Sequence, residues 1–116
     1  MALFHGIMVY EIIDNGNVLI LNGMYSTSAD FKISNEIAKR EITNNHEKDI
    51  VGNYKARYIE TLGEPKKAIY CTLEITQKKD QEAYEFKWKI GKDLIHKGIG
   101  IKINSNRIAV SYIEAS

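Results

Sequence analysis

The chain reads as a mainly β domain: an antiparallel up-and-down meander closing into a small barrel of seven or eight strands, with one short helix in the connection after the second strand. Three observations predict it. Apolar, aromatic and β-branched residues recur with period two in seven segments, turn-forming residues punctuate those segments, and short loops make neighbours in sequence neighbours in the sheet. Closure is expected because it removes the exposed edges that invite aggregation. A chain of 116 residues sits near the commonest domain size, so residues 1–116 are read as one domain.

The first predicted strand runs from Ile7 to Ile13 and ends at Asp14-Asn15-Gly16-Asn17. Asn15-Gly16 predicts a type I′ hairpin, because both residues tolerate the positive φ that turn requires. The return strand passes through Val18-Leu19-Ile20 toward Met24-Tyr25, and both strands are apolar on both faces for part of their length. That pattern predicts cover on two sides. The stretch from Ser26 to Ile50 is dominated by Ser, Thr, Asn and charges and is read as the long connection. Within it, Ser34 to Ile42 offers an N-cap, an acid in the first turn and bases near the end, which predicts a helix of two turns with Ile33 and Ile37 on one face. Asn44 to Asp49 follows as a polar loop.

From Val51 the punctuation is regular. Val51 to Thr61 sets Tyr54, Ala56 and Tyr58 on one face and ends at Leu62-Gly63-Glu64-Pro65, where the one proline cannot interrupt a ladder. Ala68 to Gln77 alternates Ile69, Cys71, Leu73 and Ile75 with Tyr70, Thr72, Glu74 and Thr76. Tyr84, Phe86, Trp88 and Ile90 alternate with Glu85, Lys87 and Lys89 in the clearest strand of all. Leu94 to Ile103 and Arg107 to Glu114 complete the series, and Gly98-Ile99-Gly100 inside the former reads as a barrel corner.

Composition excludes several classes. Hydrophobic residues at 44% and charged residues at 27% are those of a folding chain, and a formal net charge of +1 supplies no global field for nucleic acid or an anionic membrane. Cys71 alone cannot form an internal disulfide and is expected in the core. The first residues lack a basic start, Glu11 and Asp14 interrupt the early apolar run, and no segment nears the roughly 20 apolar residues of a membrane span. A cytoplasmic location is the expectation.

No catalytic motif emerges. Four residues after His46 stands Ile50, so His46-Glu47 does not open a zinc-protease helix, and His5, His46 and His96 are spaced as separate surface histidines. No metal, no cofactor and no phosphate loop is expected. Glu60, Glu74 and Glu114 are the carboxylates that, turned inward among tyrosines, would acquire shifted acidity and general acid or base character. The lysines of the later half, among them Lys87 and Lys89, alternate with the aromatic stripe and fall on the opposite face, so rings and charges would not cooperate on a nucleic acid. Seven tyrosines need partners for their hydroxyls, which predicts a polar-edged cavity, a subunit interface or a barrel mouth.

The segment Val18 to Ser28, with Asn22-Gly23-Met24-Tyr25-Ser26-Thr27-Ser28, resembles the second strand of avidin-type barrels, where Gly-X-Tyr precedes small hydroxyl residues. Gly52-Asn53-Tyr54 is similar to the lipocalin strand start. The resemblance implies a calycin-like barrel with a ligand mouth at one end. It does not extend to biotin, since that family walls its pocket with several tryptophans and this chain has Trp88 alone.

The leading expectation is therefore non-enzymatic binding of a small, partly apolar ligand, with Tyr54, Tyr58, Tyr84, Phe86 and Trp88 lining the site. An eight-stranded barrel is just wide enough for that or for packed side chains. The alternative is a structural or interaction domain, a homo-oligomer joined through the doubly apolar hairpin Ile7 to Ile20. A third reading is a barrel enzyme using Glu60 or Glu114 beside a tyrosine.

Overall fold

A computed structural model describes residues 3–42, 49–61 and 65–115. Eight strands follow in chain order: β1 (His5–Asp14), β2 (Val18–Thr27), β3 (Ile33–Glu41), β4 (Gly52–Glu60), β5 (Lys67–Thr76), β6 (Tyr84–Ile90), β7 (Asp93–Asn104) and β8 (Arg107–Glu114). Each pairs antiparallel with its neighbour in sequence, and β1 pairs with β8 from His5↔Ile113 to Glu11↔Arg107, so the meander closes into a barrel. Period two sets the interior. Met8 and Tyr10, Leu19 and Leu21, Tyr54 and Ala56, Leu73 and Ile75, Phe86 and Trp88, and Ile108, Val110 and Tyr112 are buried, and residues between them face out.

The predicted helix is not there. Residues 33–41 form β3, paired with β2 from Val18↔Glu41 to Ser26↔Ile33 and with β4 from Glu36↔Tyr58 to Lys39↔Lys55. An isolated helix of two turns is marginal, whereas a strand here satisfies backbone donors and acceptors of both neighbours and supplies the wall between them. The faces are inverted relative to the usual pattern: Ser34, Glu36 and Ala38 are buried inside, while Ile33 lies exposed outside. Of the predicted polar loop that follows, residues 44–48 lie outside the described residues.

The first hairpin is also longer than a type I′ turn. Gly16 has φ 95°, but Asn15 does not take positive φ; its side-chain oxygen instead accepts from Asn17 N and Val18 N, and that of Asp14 from Gly16 N. Side-chain oxygens here do the work of a backbone turn. Between β6 and β7, Gly91 at φ 61° takes the first central position that a type II′ hairpin asks for.

Gly98 and Gly100 serve close approach. Gly98 and Gly100 pair with Phe86 and Tyr84 on β6, and a Cβ on Gly100 would collide with the Phe86 ring, while one on Gly98 would lie 2.5 Å from Ser111 O. Gly98 makes room for the β8 backbone, and Gly100 for a ring that fills the interior. The same device recurs on β2, where a Cβ on Gly23 would lie 2.7 Å from the Tyr10 ring. Tyr10, Gly23, Glu36, Tyr58 and Ile69 form one lateral row across five strands, so the bare backbone at Gly23 lets the Tyr10 ring cross β2 and reach β3.

Gly23→Ala is expected to displace that ring and lower stability by about 1–3 kcal/mol, the usual cost of overpacking a core. Urea unfolding checks it, and an unchanged midpoint would remove Gly23 from this role.

Candidate functional site

The barrel interior divides along its axis. In the half holding the β1–β2 and β7–β8 turns, Leu19, Tyr54, Ile75 and Tyr84 are buried in contact with Ile50 in one cluster. Tyr54 donates from its hydroxyl to Ile50 O at 2.6 Å, and the Arg40 guanidinium lies over its ring at 5.4 Å. At mid-height the Phe86 and Tyr10 rings stack with centroids 6.0 Å apart. That half is full.

The other half contains a cavity of about 400 Å³, bordered by Tyr25, Tyr58, Trp88, His96 and Tyr112, with strand ends such as Thr27, Glu60 and Glu114 at its rim. Two ladders stop short of this half. β3 and β4 pair over only four positions, Glu36–Lys39, and β6 pairs with β5 only from Thr72 to Thr76. Where β3 and β4 part, Ile59 O accepts instead from Ser34 Oγ at 2.8 Å and from the Tyr25 hydroxyl. Side chains thereby satisfy a carbonyl that the ladder leaves open. Around the cavity the rings meet edge to face or tilted: Tyr25 with Tyr58 at 6.1 Å, His96 with Tyr112 at 5.8 Å, Trp88 with Tyr112 at 5.6 Å. Such contacts add to area burial and fix ring orientation.

Glu36 is the unusual member. It is 2% exposed and also borders the cavity. Its carboxylate accepts from the Tyr10 hydroxyl and from Trp88 Nε1, at 3.0 Å to Oε1 and 3.2 Å to Oε2. Both donors are neutral, and among the described residues no cation pairs with it. Burial raises its pKa from 4.5 to about 7, against the two hydrogen bonds that pull it down. Burial likewise raises the Tyr10 hydroxyl, with the Glu36 charge second. Desolvation wins because two neutral donors replace only part of a carboxylate's hydration.

The residues anticipated from sequence fall on both sides of the division. Tyr58 and Trp88 border the cavity, whereas Tyr54 and Tyr84 belong to the packed half and Phe86 to the ring stack between them. Strand register decides this, since all five point inward. Glu60 and Glu114 stand at the rim, and Glu74 faces outward, paired with Lys89 at 3.2 Å. His96 is not a surface histidine. It packs against Phe4, Tyr58, Trp88 and Tyr112, burial lowers its pKa, with Glu114 opposing, and its buried Nδ1 has no hydrogen-bond partner. Cys71 points inward, half-buried, and burial pushes its thiol up to about 12, away from the thiolate. Glu36 was missed because it lay inside the supposed helix. Its parity with Ser34 and Ala38 was the available signal.

No group of three or more His, Cys, Asp or Glu suited to a metal ion occurs among the described residues, and no helix there is long and apolar enough to cross a membrane. No family model, no curated protein and no solved structure matches the chain.

Glu36 makes stability depend on pH. Between about 4.5 and about 7 it is protonated in the folded protein and ionised in the unfolded chain, so the folded state binds the extra proton. The resulting stabilisation is complete below about 4.5 and is lost as pH rises through about 7, on the order of 3 kcal/mol in all. Glu36→Gln is expected to flatten this slope in pH-dependent thermal unfolding. An equal slope in the variant would assign the effect elsewhere.

Proposed function

We propose that this protein binds a small, partly apolar molecule in the aromatic cavity at one end of its barrel, without chemical transformation. The observation that carries the reading is the division of the interior: one half holds a cluster of buried side chains while the other keeps about 400 Å³ between rings. Cavities of this size, mostly apolar with a few convergent polar groups, are the usual form of a small-molecule site. Tyr58 and Trp88 serve as walls, and Glu36 as the polar group at depth. The closed eight-stranded meander is compatible with a calycin-like barrel holding its ligand in the mouth. A cytoplasmic location accords with the lone unpaired cysteine.

Trp88 is the chain's single tryptophan and borders the cavity, so its emission reports occupancy directly. Titration with a panel of uncharged lipophilic and heterocyclic compounds is expected to give saturable changes in Trp88 fluorescence, reduced by Tyr58→Ala. Indifference of Trp88 to the whole panel and to amine and carboxylate probes of similar size would overturn the reading.

A second reading, self-association, is favoured by the outer wall. Met24, Val9, Ala109 and Ile101 lie side by side across four strands, and Ile7 and Ile99 flank Ser111 in the next row. Ile7 is 65% exposed and Ile99 63%, so an apolar stripe faces out over β2, β1, β8 and β7. A closed barrel offers no edge for strand addition, which leaves this face for contact with a second copy. Sedimentation is expected to show a dimer that Val9→Lys shifts to monomer. A wild-type monomer at high concentration would remove this reading.

A further inference from the structure

We infer that the ligand of the barrel cavity is an organic cation, an amine carried on an apolar or aromatic body. This rests on the cavity being a ligand site and adds the charge of what enters it.

The charges bordering the cavity have one sign. Glu36, Glu60 and Glu114 are there, and among the described residues no lysine or arginine is. The one other titratable nitrogen base at the cavity, His96, is pushed toward its neutral form by burial. Low-dielectric walls focus such a field, so a bound cation gains more here than at a surface.

Glu36 has acceptor capacity left over. An ionised carboxylate offers about four lone-pair sites, and here the Tyr10 hydroxyl and the Trp88 N–H are the only donors among the described residues. A buried carboxylate without a cation is unfavourable, and an ammonium group placed beside it would supply both the countercharge and further N–H donors.

The walls suit the same charge. Tyr25, Tyr58, Trp88 and Tyr112 surround the space, and cations within about 6 Å of such ring faces are attracted by the ring quadrupole, most strongly when desolvated. An anion would meet three carboxylates and the negative faces of the rings. A neutral apolar molecule would fill the space but leave Glu36 without a countercharge.

The test uses three probes of one shape, 2-phenylethylamine, 2-phenylethanol and 3-phenylpropionate, titrated against Trp88 emission at pH 8, above the value to which burial raises Glu36. The amine is expected to bind at least ten-fold more tightly than the alcohol, with the acid weakest. Glu36→Gln should abolish the preference for the amine over the alcohol. The doubly substituted rim variant Glu60→Gln, Glu114→Gln, remote from the buried hydrogen bonds, should weaken amine binding several-fold at low salt and little at high salt, which holds the inference to account even if the Glu36 variant does not fold. Equal binding of amine and alcohol would overturn the cation and leave the cavity reading standing. Silence toward all three, alongside a response to the uncharged panel, would overturn the cation alone; silence toward both sets would remove the cavity reading as well.

Discussion

The cross-section of a closed eight-stranded ladder is nearly fixed, and the interior of this protein is arranged within that constraint. Strand number and stagger set the diameter, leaving room for side chains from facing walls and little else. Two of the large rings fit where a neighbouring strand gives up its own side chain. Tyr10 crosses β2 at Gly23, and Phe86 lies against Gly100. Once those rings occupy the middle, with Tyr54 and Tyr84 beyond them, buried side chains occupy one half. The other half keeps its volume because β3 and β4 pair over few residues and the ladder opens toward its mouth.

Glu36 sits at that boundary against the normal preference of a barrel interior. Burying a carboxylate with two neutral donors costs stability, and a packed apolar residue in its place would be expected to stabilise the fold. Departures of this kind concentrate at functional sites, where local cost is exchanged for chemistry. The arrangement around Glu36 has that character: Tyr10 and Trp88 fix its orientation, one from β1 and one from β6, and the cavity lies beside it. A carboxylate held by rings on opposite walls is positioned by the closed sheet as a whole.

The outside of the barrel is as unequal as the inside. β4, β5 and β6 present Lys55, Arg57, Glu74, Lys87 and Lys89, including the Glu74–Lys89 pair, while β1, β2, β7 and β8 present Ile7, Val9, Met24, Ile99 and Ile101. The cavity and this apolar stripe use opposite faces of the same strands. Side chains alternating across one ladder keep the two independent, so occupation of one does not require the other.

Much of the architecture was legible in the chain. Tyr84, Phe86, Trp88 and the lysines between them state their faces by alternation, and β8 runs from Arg107 to Glu114 as its pattern predicts, because period two and short turns are local properties. The third strand was not legible. Ile33 and Ile37 are four apart, a spacing shared by a helical face and by one face of a strand, and only pairing with β2 and β4 decides between them. That pairing turns Ser34 and Glu36 inward. It also places Trp88, 52 residues away, within hydrogen-bonding distance of the buried carboxylate. Which inward rings pack and which enclose space depends on height along the barrel and on where ladders end. Those are properties of register between distant strands, so the walls were written in the sequence and the cavity was decided by closure.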